Sequence, residues 1–429
     1  MNWKWKFRAV WMLCLGVNDM SREMKDSGIE WIGEIPNDWN ISQIGQLYIE
    51  RRKKVSDKNY TPLSVTMNGV LYQLSSAAKT DAHDDRKLVK QGDFVINSRS
   101  DRRGACGISK YNGSVSLINI VLKPNENMNS SYYEWLFHTS VFSDEFYKWG
   151  HGIVDDLWTT KWQDMKKIAV PVPDLSEQKK IADFLDKRCE KIDRLIQKQQ
   201  AYCELLNQYK YSLYTEKAKK LNCKRTVLGR IVKNIEQGWS PAPAERNDDG
   251  NWNVLTLAAV KYGEFISDEI KCFNGSIEKC GNLSLKRGDF LLTRSNTREL
   301  VGQVCVVDED VKKTIFSDLI YRMTFDRRYV DPEYLKYYFQ TAMMRQQISR
   351  DAHGSSSTMV KITHKDIKMW EVELPTLVEQ KKYINEMRKK TAIINKLLNN
   401  HNQYTELLKD YKKSLIYEYV TGKKEVPES

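Results

Sequence analysis

Two short clusters have the residue types and spacing to recognise a polyanion. Arg99-Ser100-Asp101-Arg102-Arg103 follows the apolar run Phe94-Val95-Ile96, and Arg294-Ser295-Asn296-Thr297-Arg298 follows Phe290-Leu291-Leu292. Both runs open on Gly-Asp-Phe, at Gly92 and Gly288, so one turn, strand and basic loop occur twice. An arginine fork fits a phosphate or the guanine edge bidentately, and asparagine fits the adenine edge. A third basic cluster, Arg51-Arg52-Lys53-Lys54, also follows an apolar stretch. Trp158-Thr159-Thr160-Lys161, Gln237-Gly238-Trp239-Ser240 and Ser355-Ser356-Ser357-Thr358 add hydroxyls, amides and aromatic surface suited to phosphates or base edges. The ordinary alternatives are a solvated loop for the charge runs and a packed turn for the rest. Recurrence of Arg-Ser after Gly-Asp-Phe favours contact, with phosphate binding ahead of base reading.

Patterns that suggest catalysis dissolve on inspection. Asp331-Pro332-Glu333-Tyr334 lacks the second proline of an amino-methyltransferase box and no glycine-rich cofactor loop precedes it, whereas an aspartate cap followed by proline is a normal helix start. Pro173-Asp174 with Glu177-Gln178-Lys179 mimics a nuclease signature, but its acids are too close together and lie at a helix start. No phosphate-binding Gly-x-x-x-x-Gly-Lys-Ser/Thr loop occurs. The eight cysteines form no Cys-x-x-Cys pair and have no histidine at zinc spacing, so they are expected to be reduced core thiols with no metal.

The elements that position these loops follow from a repeat. Pro173-Asp174-Leu175-Ser176-Glu177-Gln178-Lys179-Lys180 returns 202 residues later as Pro375-Thr376-Leu377-Val378-Glu379-Gln380-Lys381-Lys382. The same offset relates His151-Gly152 to His353-Gly354 and Asp164 to Asp366. Asp174 and Thr376 stand three residues before a glutamate, the spacing of a capped helix start. Downstream, Leu185, Cys189, Ile192, Ile196, Gln199, Cys203, Leu206, Lys210 and Leu213 alternate steps of four and three, as do Met387, Thr391, Ile394, Leu398, His401, Thr405, Leu408, Lys412 and Leu415. A 3.5-residue period is a coiled-coil seam, in which the polar pair Gln199 and His401 would fix register. Each helix should run about 45 residues, about 67 Å. A compact domain with a radius near 15 Å cannot easily return the chain that far, so antiparallel packing is expected. That packing brings the N-terminal block close to the tail near Gly422.

Before each long helix lies a mixed α/β block with strands in its middle, including Val115–Leu122 and Val301–Val307, then a helix, Ser130 to Phe146 in the first and Asp331-Pro332 to Ile348 in the second. The boundaries read as 1–24 extension, 25–173 first domain, 174–222 central helix, 223–375 second domain, 376–422 distal helix and 423–429 basic tail. Met20 or Met24 is the expected natural start, although Lys4, Lys6 and Arg8 before the apolar stretch Val10–Val17 resemble a signal peptide without its cleavage site. No apolar run reaches the length of a membrane span. A chain of 429 residues with a net charge of +12 is thus a doubled, basic, folded protein.

The opening Asp26-Ser27-Gly28-Ile29-Glu30-Trp31-Ile32-Gly33-Glu34-Ile35-Pro36-Asn37-Asp38-Trp39, the two Pro-x-Leu-x-Glu-Gln-Lys-Lys starts and the paired Gly-Asp-Phe resemble the specificity subunits of type I restriction-modification systems, from Lys25 onward. The resemblance implies two α/β (α+β) target-recognition domains in tandem, separated by two long helices in an antiparallel coiled coil, with pseudo-two-fold internal symmetry. It implies a non-catalytic cytoplasmic subunit whose domains each read half of a split, asymmetric double-stranded DNA target. The helices would set the spacing and dock two modification (methyltransferase) subunits. Restriction subunits would complete an ATP-dependent nuclease, with S-adenosylmethionine, ATP and Mg on the partners and no cofactor on this chain. The other reading is a coiled-coil scaffold whose domains bind proteins.

Overall fold

The computed structural model describes residues 22–73, 84–152, 158–240, 252–273, 280–354 and 359–427. The chain forms two units, residues 1–198 with 404–429, and residues 199–403.

The first unit is built on β1 (Tyr48–Glu50), β2 (Phe94–Asn97), β3 (Cys106–Ile108) and β4 (Asn119–Pro124), ordered β3-β2-β4-β1 and antiparallel throughout. Side chains alternate across the pleat. Phe94, Ile96, Ile120 and Leu122 pack on Tyr133, Phe137 and Phe142 of α1 (Ser130–Phe137) and α2 (Ser140–Lys148). Val95 and Val121 face the other way, onto Leu63, Val70, Val89 and Val115. The long helix α3 (Leu175–Lys219, 45 residues) follows.

The second unit repeats that frame as β5 (Val232–Gln237), β6 (Phe290–Thr293), β7 (Val304–Val306) and β8 (Ile320–Phe325), ordered β7-β6-β8-β5. It carries α4 (Pro332–Tyr338) and α5 (Ala342–Asp351), and ends in α6 (Leu377–Val420, 44 residues). The accessory sheets differ. In the first unit Arg86–Val89 has two antiparallel neighbours, whereas in the second Trp252–Leu255 pairs antiparallel with Ile270–Phe273 and parallel with Thr314–Phe316.

Each domain helix expected to be continuous is broken once. The hydroxyls of Thr139 and Thr341 donate to the carbonyls of Leu136 and Tyr338, both at 2.7 Å, and accept from the backbone N–H of Phe142 and Met344. One side chain thus closes one helix and caps the next. The run Val115–Leu122 is likewise two strands, Gly113–Ser116 and β4, placed in different sheets by a turn at Leu117-Ile118.

The long-helix starts are as expected, with Asp174 accepting from Glu177 N (2.8 Å), while Thr376 and Glu379 bond reciprocally. The motif glutamines are buried latches. Gln178 accepts from Asn129 N and donates to Pro173 O, and Gln380 accepts from Asp331 N and donates to Pro375 O and Tyr329 O.

Within each unit the helices run antiparallel. In the first, Leu185, Cys189 and Ile192, with Ile196 half-buried, share a core with Leu408 and Leu415, and Asp193 pairs with Lys412 at 2.7 Å. In the second, Leu213, Met387 and Ile394 are buried with Leu206 and Leu398 beside them. There Lys217 meets Glu386 (2.7 Å), Tyr214 meets Thr391 (2.8 Å), and His401 Nδ1 lies 2.5 Å from Gln199 Oε1. The tail does reach the N-terminal block. Gly422, at φ +70°, lies against Pro36 and Trp39 with no room for a Cβ, and Lys423 donates to Ile32 O.

The cysteine expectation needs correction. Cys106, Cys189, Cys280 and Cys305 are buried and Cys203 and Cys223 half-buried, but Cys272 is exposed, because its strand shows three of four residues to solvent. Cys14 lies outside the described residues. Among the described residues no helix is long and apolar enough to cross a membrane.

Candidate nucleic-acid interface

In the first unit, tertiary pairing joins two of the loops singled out by sequence. Ser100 N donates to Trp158 O and Thr160 N to Ser98 O, both at 3.0 Å, and Arg99 forms a β-bridge with Thr159. Two members are anchors rather than contact groups. The Trp158 indole donates to Tyr147 O at 2.8 Å and fills the space beside Gly150, and the buried Thr160 hydroxyl donates to Phe146 O at 2.7 Å. Arg102, Arg103 and Lys161 remain on the surface. Arg103 pairs with Asp144 (2.8 Å), and Arg99 lies 3.2 Å from Asp101.

The Arg51–Lys54 segment is used differently. Asp93 is almost fully buried beneath the Gly92 turn, where it accepts from Lys90 N and, bidentately, from Arg51 at 2.6 and 2.8 Å. Arg51 therefore compensates a buried carboxylate. Arg52, Lys53 and Lys54 are exposed; Arg52 pairs with Glu50 and Lys54 with Asp85 as the chain enters the accessory sheet.

The second unit solves the same electrostatic problem with exchanged strands. Aligning the frames on Phe94 and Phe290 places Glu236 where Arg51 stands and Arg322 where Val121 stands. Arg322 pairs with Asp289 at 3.2 Å and Glu236 at 2.5 Å, so the half-buried turn aspartate keeps its cation.

Around this frame three side chains from two segments converge on Asp318. Gln237 Nε2 donates to Asp318 O (3.2 Å), Ser240 Oγ donates to Asp318 Oδ1 (2.5 Å), and Arg294 Nη1 donates to Asp318 O (3.3 Å). Gly238 is held so closely against the carbonyls of Phe316 and Ser317 that only glycine fits. Trp239 is partly exposed, edge-on to Phe273. Ser295-Asn296 pairs with Val360-Lys361, burying the Ser295 hydroxyl on Val360 O. Asn296 accepts from Thr297 N, and the exposed Arg298 donates to Ser349 O. Ser355, Ser356, Ser357 and Thr358 lie outside the described residues.

His364 lies edge-on to Tyr321 and its pKa is lowered, by burial first and then by Lys368 and Arg294. Sequence reasoning passed over Lys361, which is exposed and backbone-paired to both Ser295 and His353. The signal was present, because Lys361 lies 202 residues after Thr159.

Each unit therefore brings a basic loop and a hydroxyl-bearing or lysine-bearing strand onto one frame, an arrangement suited to phosphate and base-edge contacts. Comparison with known proteins is consistent with that geometry. The family model described as "Type I restriction modification DNA specificity domain" matches residues 36–204 and again 228–407. The type I restriction enzyme EcoEI specificity subunit of Escherichia coli is 25% identical over 37% of this chain, a match spanning only 27% of that protein's length. The EcoKI specificity subunit of Escherichia coli strain K12 is 25% identical over 73% of each chain. A solved structure concerned with complex assembly and conformational transition of the type I R-M system has the same fold at a TM-score of 0.64, with 13% identity over 90% of this chain and 99% of its own.

Proposed function

The chain belongs to the DNA specificity family of type I restriction-modification systems, and from that premise we propose that each α/β domain reads one half of a bipartite, asymmetric DNA target. The observation that carries this reading is the combination of one frame with two surfaces. The four-stranded sheets, the turn aspartates and the helix latches are the same in both units, while the loops and accessory sheets differ. A common frame with different edges is what two different half-sites require.

The long helices act in this reading as ruler and docking surface. Leu195, Tyr202, Leu205 and Tyr209 are exposed on α3, and at the equivalent positions of α6 Leu397 and Leu407 are exposed while Tyr404 and Tyr411 are half-buried against the core of the first unit. Two copies of one apolar pattern suit two copies of one partner, here the modification subunits, with restriction subunits joining that assembly. The chain itself performs no chemistry; S-adenosylmethionine, ATP and Mg belong to the partners, in the cytoplasm with the DNA. A protein-binding scaffold would not need arginine loops repeated after equivalent strands.

The test is co-expression with a modification subunit followed by sequencing of modified bases. A split motif is expected, and exchanging the first domain should change one half of it. A motif altered in both halves, or methyl transfer by the purified chain alone, would overturn the reading.

A further inference from the structure

The loops that differ between the units contain one exposed pair that does not. His151 and His353 occupy the same repeat position, as do Asp164 and Asp366, while apart from Gly152 and Gly354 most of the residues between them have diverged, to Thr159 and Lys361, Lys161 and Thr363, Trp162 and His364. In the first unit His151 Nε2 lies 3.6 Å from Asp164, and in the second His353 Nε2 lies 3.3 Å from Asp366. The histidine side chains are 72% and 65% exposed, so neither is kept for its packing. Their backbones pair with Thr159 and Lys361, an interaction any residue can make.

Both imidazoles thus stand on the strand next to the basic loops. Thr159 bridges Arg99, and Lys361 pairs with Ser295. Among the described residues, Asp164 also contacts Lys167; Asp366 is bonded by Thr363 N and Oγ1; and Asp351, held by Arg350 and Trp370, lies in the surroundings of His353.

We propose that His151 and His353, each held by its aspartate, are a matched pair of phosphate contacts, one per domain, that bind the DNA backbone irrespective of sequence. The proposal rests on the DNA-reading function above. Its logic is that residues reading different half-sites must differ, whereas a residue kept identical amid diverged neighbours must meet what is identical in every duplex, its sugar-phosphate backbone. A nearby aspartate favours Nε2–H and orients the ring, and in the imidazolium form that a phosphate would pair with, Nδ1–H is the outward donor. Asp164 and Asp366 are positioning residues in this scheme.

The experiment uses the full chain with its modification subunits, and measures binding to a duplex carrying the modified motif and to a scrambled duplex over a range of salt. H151Q and H353Q should each weaken binding to both duplexes by the same factor, about three- to tenfold, and multiply when combined, with the modified motif and thermal stability unchanged. H151K and H353K should restore binding, because a cation suffices for a phosphate. The proposal fails if either Gln variant changes one half of the motif, if binding is unaltered, or if the Lys variants bind no better than the Gln variants. Absence of any preference by the unmutated complex for the motif duplex would instead refute the specificity function itself.

Discussion

At the scale of single residues, the side chains that recur at the 202-residue offset divide into those that hold the fold and those that face outward. Gln178 and Gln380 are of the first kind, since each satisfies a backbone N–H at the start of a domain helix and a carbonyl at the start of a long helix. Q380A should therefore cost about 2 kcal/mol, the penalty for leaving buried polar groups unpaired, measured by urea unfolding. His364 gives a pH dependence. Its folded pKa is lowered, so the unfolded chain binds the proton more readily, and stability falls as pH drops below the unfolded value near 6.5 through the folded one. H364Q should flatten that part of the stability-pH curve relative to the parent protein. Arg51 marks the limit of reading charge as contact, because the sequence shows four cations in a row and cannot show that the first belongs to Asp93.

At the scale of elements, the loops were legible and their partnerships were not. Gly-Asp-Phe followed by a basic loop identifies a turn and a strand from local chemistry, but the pairing of Ser98–Ser100 with Trp158–Thr160 joins residues about sixty positions apart. That pairing turns Trp158 and Thr160 inward and leaves Arg102 and Lys161 outward. R102A should lower affinity for all duplexes alike and reduce the slope of log affinity against log salt by about 0.9. N296A should act on one half of the motif only, checked by sequencing modified bases. The single helices expected before the repeat motif were two each for a similar reason, since Thr139 and Thr341 act as stop and start through hydrogen bonds that periodicity does not register.

At the scale of the whole molecule, the seam of α3 and α6 is expected to be the ruler of the target. Inserting seven residues at matched points in both helices lengthens each by about 10 Å, which should widen the gap between half-sites by about three base pairs. Modified-base sequencing of that variant reads the gap directly, and an unchanged gap would remove the ruler role.

The sequence by itself determined the doubling, the helix starts, the 3.5-residue seam and the family, because each is carried by residues near one another or repeated at a fixed offset. Only the tertiary structure decided that the turn aspartate keeps its cation through an arginine on a different strand in each unit, and that the accessory sheets differ in strand direction. It also decided which loop side chains are anchors. The physical reason is that burial and hydrogen-bond pairing depend on which distant strands meet, and neither is written in the residues adjacent along the chain.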